Sequence, residues 1–492
     1  MSQLKNLSPE PIWTYFEEIC GIPRLSKNEG KIRQYLLDFA EKNDLESKED
    51  EVGNILIIKP PSEDMKNKKT IVLQSHMDMV GEKNADNPHD WTRDPIIPYL
   101  KKGWVTAQGT TLGADDGIGI AAALAVLTDK NISSGRIECL FTVDEESGMT
   151  GAINLKPDFF NSRILINLDS EDEGILYIGC AGGMDTLITL NYKPEPLPAD
   201  HESLNLSVTG LHGGHSGDEI HKGYGNSVKI MTRLLSSLSV QYDAMVSNFD
   251  GGNLRNAIPR EAFATISFNP FFSIEIGKSV AEFFKIMKDE FGPLEPELMI
   301  SARSASKPGF IMDRESQNKL LSALTACPHG VVGWSKEMDN LVETSSNLAS
   351  VKFIDGNSVR VITTQRSSIE SAKHDISSTV EACFRLAGAD VQMTDGYPGW
   401  KPNITSEILK ITRQSYLRLF GKEPLVRAIH AGLECGLIYE KDRNMDMISF
   451  GPTIKGAHTP EEMISIDSVN KFWDLLLDVI KNIPDNPDWT AS

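Results

Sequence analysis

The sequence predicts an α/β fold in which a catalytic domain, built on a mixed sheet covered by helices, is interrupted by an inserted α+β lid domain. Three observations predict it. Short apolar runs alternate with helix-like runs up to Gly183, alternating polar and apolar residues dominate the middle of the chain, and the α/β character then returns. Since a chain of 492 residues is too long for one hydrophobic core, we expect domains at 1–183, 184–400 and 401–492, the outer two forming one catalytic domain.

The first part of the chain has the strand and helix alternation of an α/β sheet. After an initial helix, a capping-box pattern at Ser26 and Glu29 predicts the start of a second helix. The runs that follow have strand, strand, helix, strand and strand character, in this order: 54–59, 70–74, 117–129, 136–143 and 164–168. Strands that alternate with helices favour a sheet whose faces are covered.

The middle part has the shorter alternation of an α+β domain. Strand-like alternation at 186–190 and 203–208 is followed by helix-like runs at 227–239 and 280–290. A similar mixture recurs over 299–393, which predicts two similar α+β halves in the lid. After the turn formers at 397–403, the last part contains a helix from Ser406, a strand at 445–450 and a helix at 468–480.

The charge balance excludes several classes of partner. With 49 basic and 69 acidic residues the formal net charge is −20, so phosphate backbones and anionic membrane surfaces would repel the protein. We therefore expect no nucleic acid and no membrane partner. No apolar run approaches the roughly 18 residues that span a bilayer, and the first residues lack the apolar core of a signal peptide. These features predict a cytoplasmic protein.

Candidate metal ligands follow the predicted strands. His76 and Asp78 come directly after the strand at 70–74, where open α/β sheets bind ligands. A neutral imidazole binds zinc, and a carboxylate on its other nitrogen orients it. An ordinary polar loop is the alternative. Asp115 and Asp116, between glycines, either stabilise a helix N-terminus or place Asp115 between two metal ions.

Two further strands end in carboxylates. Asp144, Glu145 and Glu146 follow the strand at 136–143, and Asp169 ends the next one. A solvated acidic turn is one explanation for the three consecutive carboxylates. The other is a metal site, because consecutive side chains point in different directions. Glu146 can then bind metal while Glu145 faces the attacking water as general base, and Asp169 is a further ligand.

Two histidines lie in glycine-rich loops. His458 follows the strand at 445–450 and can complete the shell of a second metal. A mixed set of histidines and carboxylates is typical of zinc, with manganese or cobalt as substitutes. His215, in the predicted lid, is either an ordinary loop histidine or a donor to a developing oxyanion.

These motifs together resemble the di-zinc aminopeptidase, carboxypeptidase and deacylase superfamily, and most closely its aminoacyl-histidine dipeptidase branch. The resemblance covers nearly the whole chain and is carried by motifs in the family's order: His76–Asp78, Gly113–Gly117, Asp144–Gly148, Asn167–Glu171, Gly213–Gly217, His430–Glu434 and His458–Glu461. Many members have lysine or methionine after the bridging aspartate. Asp116 in that position favours the dipeptidase branch over the deacylases.

The resemblance implies a role for each candidate residue. It implies two zinc sites that share one carboxylate, with the ligands His76, Asp115 and Asp169 for one ion and Asp115, Glu146 and His458 for the other. It further implies that Asp78 orients His76, that Glu145 is the general base, and that His215 stabilises the oxyanion. Asn256 and Arg366 are the implied groups that bind the C-terminal carboxylate of the substrate.

The implied activity is hydrolysis of dipeptides, in particular Xaa-His dipeptides such as β-alanyl-histidine, by a water that bridges two zinc ions. The expected partner is a small peptide substrate. The protein can be a monomer or a homodimer, and His215 can act in its own subunit or in the partner subunit. The alternatives are an N-acyl amino acid deacylase or a tripeptide aminopeptidase with the same metal core, and, outside enzymes, a metal-dependent binding protein with a dead site. Glu145 and His215 argue against a dead site, because a binding protein needs no general base.

Overall fold

The structure is a computed structural model that describes Leu4 and residues 6–487. The chain divides into two compact units. Unit 1 comprises the chain up to Cys180, the segment Trp400–Ala428 and the segment from Leu433 onward, and unit 2 comprises Ala181–Gly399 and Ile429–Gly432. The roles of catalytic domain and lid, the bounds at 183 and 400, and the similarity of the two lid halves stay predictions.

The helices and strands of the described residues are numbered in chain order. The α-helices are α1 (Glu10–Cys20), α2 (Gly30–Lys42), α3 (Ala114–Thr128), α4 (Glu145–Gly148), α5 (Thr150–Asn154), α6 (Ser227–Tyr242), α7 (Ser273–Phe291), α8 (Arg314–Ala326), α9 (Glu370–Leu386), α10 (Glu407–Phe420), α11 (Glu434–Lys441) and α12 (Ile466–Lys481). Short 3₁₀ turns occupy Glu63–Met65, Ile220–Lys222, Pro270–Phe272 and Gly292–Leu294.

The strands are β1 (Glu46–Glu49), β2 (Ile55–Lys59), β3 (Ile71–His76), β4 (Pro98–Lys101), β5 (Trp104–Ala107), β6 (Ile137–Thr142), β7 (Ile164–Asn167), β8 (Ile175–Cys180), β9 (Gly182–Asn191), β10 (Pro194–Glu195), β11 (Glu202–Thr209), β12 (Met245–Gly251), β13 (Ala262–Phe268), β14 (Met299–Ser304), β15 (Ile311–Met312), β16 (Gly330–Trp334), β17 (Val342–Ile354), β18 (Ser358–Ser367), β19 (Asp390–Met393), β20 (Leu425–Ile429), β21 (Asp446–Ser449), β22 (Ile454–Lys455) and β23 (Met463–Ser465).

Unit 1 is built on an eight-stranded mixed sheet in the order β1-β2-β6-β3-β7-β21-β8-β20. Strands β6, β3, β7 and β21 are parallel, whereas β1, β2 and β8 pair antiparallel with their neighbours. All residues of β2, β3, β6 and β7 are buried, as expected for strands covered on both faces. The prediction of a mixed α/β fold is confirmed. A smaller sheet, β22-β23-β5-β4, also belongs to this unit.

Unit 2 is built on a nine-stranded antiparallel sheet, in which the path β14-β11-β13-β12-β17-β18-β9-β19 is extended by β16 beside β17. Helices α6, α7, α8 and α9 contribute apolar faces to its core. That core includes Val208, Leu234, Phe249 and Phe384, all buried. None of the helices among the described residues is both long and apolar enough to cross a membrane.

The predicted capping box at the second helix is wrong. Helix α2 begins at Gly30, and Glu29 makes no side-chain cap. The Ser26 hydroxyl donates instead to Asp78 Oδ2 (2.8 Å), and Glu29 Oε1 accepts the N–H of Asp144 (3.0 Å). Both side chains of the pattern are therefore used in contacts with distant segments that lead into the candidate site.

Candidate metal centre

The candidate ligands of unit 1 lie where parallel strands end. His76 is the last residue of β3, Asp144–Glu146 follow β6, and Asp169 follows β7. Because β6, β3 and β7 are parallel neighbours, their carboxyl ends meet at one edge of the sheet, as in other open α/β folds. Helix α3 begins at the same edge and brings Asp115, and the loop after β22 brings His458.

One carboxylate lies between the two histidines. Asp115 Oδ1 is 3.0 Å from His76 Nε2, and Asp115 Oδ2 is 3.2 Å from His458 Nε2. His458 Nε2 also lies 3.0 Å from the Glu146 carboxylate, and His76 Nε2 lies 3.7 Å from Asp169 Oδ1. The five residues for which the sequence predicted metal binding therefore form one continuous cluster.

Asp78 supports His76 from behind. It is fully buried, and its Oδ1 lies 3.3 Å from His76 Nδ1. Its two oxygens also accept the N–H groups of Glu145 (3.0 Å) and Glu146 (3.1 Å). Burial favours the neutral carboxyl, but the neighbouring His76 imidazole, together with the hydrogen bond from Ser26, outweighs it and lowers the pKa of Asp78 to about 2. Asp78 is therefore ionised and fixed in position beside the His76 ring.

Crowding of carboxylates dominates the electrostatics of the cluster. Burial is the largest cause that raises the pKa of Asp116, Glu145 and Asp169, and neighbouring carboxylates raise it further, although the charge of His76 opposes both. Burial would also raise the pKa of Asp115, but its hydrogen bonds with His458 and His76 lower it. The carboxyl groups are thus crowded in a largely buried space, where the charged forms of Asp116, Glu145 and Asp169 are disfavoured.

The donor set fits a divalent metal ion. Ligand atoms of Asp115, Glu146 and His458 lie within 4.8 Å of one another, as do those of His76, Asp116 and Asp169. Asp116 Oδ2 is buried and has no hydrogen-bond partner among the described residues. Imidazole nitrogens combined with carboxylate oxygens are ligands that zinc prefers, and a dication would compensate carboxylates that are otherwise unfavourable together.

No role is predicted from the sequence for three buried charged residues of unit 1. Glu434 Oε2 accepts hydrogen bonds from Gln74 Nε2 (2.7 Å) and Thr142 Oγ1 (2.6 Å), and burial raises its pKa to about 8. Glu462 and Arg24 contact backbone atoms around Asp115. Glu434 lies in a motif that resembles the family, which is a signal, but no pattern marks Arg24.

Unit 2 holds the other predicted residues. The N–H groups of Gly217 (3.3 Å) and Asp218 (3.2 Å) point at His215 Nδ1. Because a backbone N–H can only donate, Nδ1 accepts, and Nε2 carries the hydrogen of the neutral ring. The loops of His215 and Asn256 are adjacent, with the Ser216 N–H donating to the Asn256 carbonyl (2.8 Å). Asn256 itself is exposed.

Arg366 is buried on β18 of the same unit. Its Nη1 donates to the hydroxyl of Tyr397 (2.6 Å), and its Nε has no hydrogen-bond partner among the described residues. A buried guanidinium with an unused donor is suited to an anionic ligand.

A cluster of histidines and carboxylates at the ends of parallel strands is typical of metal-dependent enzymes. The family model of peptidase family M20/M25/M40 matches residues 72–482. The chain therefore belongs to this peptidase family, and the predictions of a metal-dependent peptidase and of its superfamily are confirmed.

Relatives cover nearly the whole chain. The cytosol non-specific dipeptidase of Escherichia coli (strain K12) is 44% identical over 485 residues, which are 98% of this chain and 100% of the relative. The crystal structure of aminoacylhistidine dipeptidase from Vibrio alginolyticus superposes with a TM-score of 0.93 at 42% identity and covers 99% of both chains. Aminopeptidase PepT from Bacillus cereus, at 18% identity and a TM-score of 0.57, covers 97% of this chain and 99% of PepT, and shares the fold.

Proposed function

We propose that this peptidase hydrolyses dipeptides, including Xaa-His dipeptides such as β-alanyl-histidine. The observation that carries the proposal is the position of Asp115, which offers one oxygen towards His76 and the other towards His458. The two near-full-length relatives, one named a non-specific dipeptidase and the other an aminoacylhistidine dipeptidase, support the substrate class. The name of the first relative also supports a cytoplasmic location.

Two metal ions are part of the proposal. The residues that would hold them are His76, Asp115 and Asp169 for one ion and Asp115, Glu146 and His458 for the other, with zinc as the expected metal and manganese or cobalt as substitutes. When bound, the pair would polarise the scissile carbonyl and lower the pKa of the attacking water towards about 7.

Glu145 is the proposed general base. Its neighbour Glu146 contacts His458 at 3.0 Å, which leaves Glu145 to take a proton from the attacking water and pass it to the leaving amine. The Glu145 N–H is held by Asp78 (3.0 Å). Burial, reinforced by Asp169 and opposed by His76, raises the pKa of Glu145, the direction that a base working near neutral pH requires.

The residues of unit 2 are proposed to bind the rest of the substrate. His215 would donate from Nε2 to the oxyanion, because its Nδ1 is occupied by backbone N–H groups. Arg366, with its unused Nε, and Asn256 would bind the C-terminal carboxylate.

Metal content combined with a substrate panel tests the proposal. The panel contains β-alanyl-histidine, other Xaa-His dipeptides, a dipeptide without histidine, a tripeptide and an N-acyl amino acid. We expect two metal ions per chain and turnover of the dipeptides. Preferential cleavage of the tripeptide or the acyl amino acid would instead assign an aminopeptidase or a deacylase, and metal binding without turnover of any substrate would assign a binding protein.

A further inference from the structure

We propose that Glu462 is a positioning residue that sets the place of Asp115 and links the Asp115 loop to the His458 loop. This inference rests on the proposed function, in which both residues bind metal. No role is predicted from the sequence for Glu462, whose carboxylate reaches the cluster through contacts with backbone N–H groups.

The Glu462 carboxylate binds a row of four backbone amides. Oε2 accepts the N–H groups of Leu112 (2.8 Å) and Gly113 (3.0 Å), and Oε1 accepts those of Ala114 (2.7 Å) and Asp115 (3.4 Å). The Glu462 residue is 2% exposed. Hydrogen bonds from N–H groups to a buried carboxylate are among the stronger ones in proteins, so the loop that carries Asp115 is held along its length.

The helix cannot fix Asp115 by itself. Asp115 stands in the first turn of α3 with φ −80° and ψ 114°, outside helical geometry. The first N–H groups of a helix have no acceptor within the helix and need one from elsewhere. Glu462 provides this acceptor, and the direction of the Asp115 side chain depends on it.

Glu462 is itself firmly anchored next to His458. Its carbonyl accepts the Thr106 hydroxyl (2.7 Å), and its N–H donates to the Thr459 carbonyl (3.0 Å). The next residue begins β23, which pairs with β5. Because His458 precedes Glu462 by one short loop, a single segment delivers His458 to one oxygen of Asp115 and the Glu462 carboxylate to the amide of Asp115.

Arg24 holds the same loop from its carbonyl side. It is 2% exposed and donates to the carbonyls of Met77 (3.0 Å), Asp78 (2.6 Å) and Gly113. Gly113 has φ +68°, and a Cβ there would lie 2.8 Å from the Arg24 guanidinium, so this position requires glycine. One buried anion and one buried cation thus fix the loop through its backbone.

Glu138 provides a matched control. It is also a fully buried carboxylate that accepts backbone N–H groups, those of Asn161 (2.8 Å) and Ser162 (3.3 Å). It lies on β6, whose other end leads to the candidate site, and none of the residues it contacts has a proposed role there. Changing either glutamate to glutamine replaces one accepting oxygen by an amino group that cannot accept.

The test compares Glu462→Gln with Glu138→Gln in the full chain. Zinc affinity is measured by competition with a chelator, and Tm, kcat and KM are measured on the zinc-loaded enzyme. We expect Glu462→Gln to weaken zinc binding by roughly 10- to 100-fold and to lower kcat with little change in KM, and excess zinc to restore part of the activity. Glu138→Gln should lower Tm and leave zinc affinity and kcat unchanged.

Equal losses of Tm in the two variants, with zinc affinity unchanged in both, would overturn the proposal. If Glu462→Gln does not fold, Glu462→Asp replaces it: the shorter side chain keeps the charge, and zinc affinity equal to wild type would again refute a positioning role. Since zinc is titrated without substrate, an unexpected substrate leaves this result standing. Failure of the wild-type protein to bind zinc through His76 and His458 would instead remove the proposed function.

Discussion

His76 and His458 approach the same carboxylate from opposite sides, but they stand in different surroundings. The side chain of His76 is 1% exposed, ends a buried strand and has Asp78 behind it. The side chain of His458 is 50% exposed and lies in a loop, with φ +62°. The comparison shows that one half of the cluster is built into the sheet, whereas the other is brought to it by a loop near the surface.

This difference has a consequence for metal binding. A ligand fixed by a strand and by a second carboxylate loses little freedom when it binds a metal, while a loop ligand must be ordered at that moment. Loop segments also open locally more readily than buried strands. We therefore expect the site around His76 to retain its metal longer during chelation than the site around His458.

The largest effect is expected from substitution of Glu145. If Glu145 were a metal ligand on the His76 side of the cluster, the comparison between the two sides would not hold. Glu145→Gln keeps the shape but cannot accept a proton, so kcat should fall by about 10²- to 10⁴-fold while metal content stays near wild type. Glu146→Gln should weaken metal occupancy, and excess zinc should restore part of the activity. Bound metal and kcat decide between them: loss of metal in Glu145→Gln, with metal retained in Glu146→Gln, would reverse the two roles.

The second prediction concerns the metal-free protein. Burial lowers the pKa of His76, but Asp169, Asp115 and Asp78 outweigh it and raise the pKa, so the ring is charged when metal is absent. Removing this charge in His76→Ala leaves buried carboxylates without a partner, and we expect a loss of roughly 3–5 kcal/mol in the free energy of unfolding. The contribution is present below the pKa of the unfolded imidazole and is lost as the pH rises through the raised pKa of the folded state.

The same experiment on His458→Ala gives the contrast. Its hydrogen bonds with Asp115 and Glu146 raise the pKa of His458 to about 11, yet water screens a half-exposed ring, and we expect a loss of only about 0–1 kcal/mol. Urea unfolding of both metal-free variants at about pH 6, below the ordinary pKa of histidine, measures the difference. Equal losses would mean that the two halves of the cluster are equally built into the fold.

Substitution of Ser26 tests the buried side of the comparison, and its expected effect is smaller than those at Glu145 and His76. Ser26→Ala removes one of the donors to the Asp78 carboxylate, and metal affinity should fall by about 10-fold. This is the low end of the usual range, since Asp78 keeps the N–H groups of Glu145 and Glu146. Ser133→Ala is the control, because the Ser133 hydroxyl also donates to a carboxylate, that of Asp64 (2.9 Å), at the surface. Wild-type metal affinity in Ser26→Ala would show that Asp78 does not need the Ser26 hydroxyl to stay in position.

The fold class and the grouping of the ligand candidates followed from local patterns. His76, Glu146 and Asp169 each come after an apolar run of strand length, and parallel strands bring their carboxyl ends together whatever lies between them in the chain. The sequence therefore predicted that these residues lie close together, and the short distances from Asp115 to His76 and His458 show such a cluster. The chemical roles assigned to these residues stay predictions.

What the sequence missed depends on contacts between distant segments. The pattern at Ser26 and Glu29 fits a helix cap locally, but the partners of these side chains lie 52 and 115 residues away. Glu462 and Arg24 act on backbone N–H and carbonyl groups. Such contacts depend on the path of the chain, so no local sequence motif identifies Glu462 or Arg24.

The position of β21 bears on how the protein is made. This strand lies between β7 and β8 in the central sheet, although both of its neighbours are synthesised long before it. Until it leaves the ribosome, β7 and β8 each present an open edge, and such edges invite pairing with other chains. Long-range pairing of this kind is also slow. The sheet is therefore completed only after β21 has been synthesised, and His458 follows β21 still later in the chain, so the nascent chain gains its last proposed metal ligand after the last of the parallel strands.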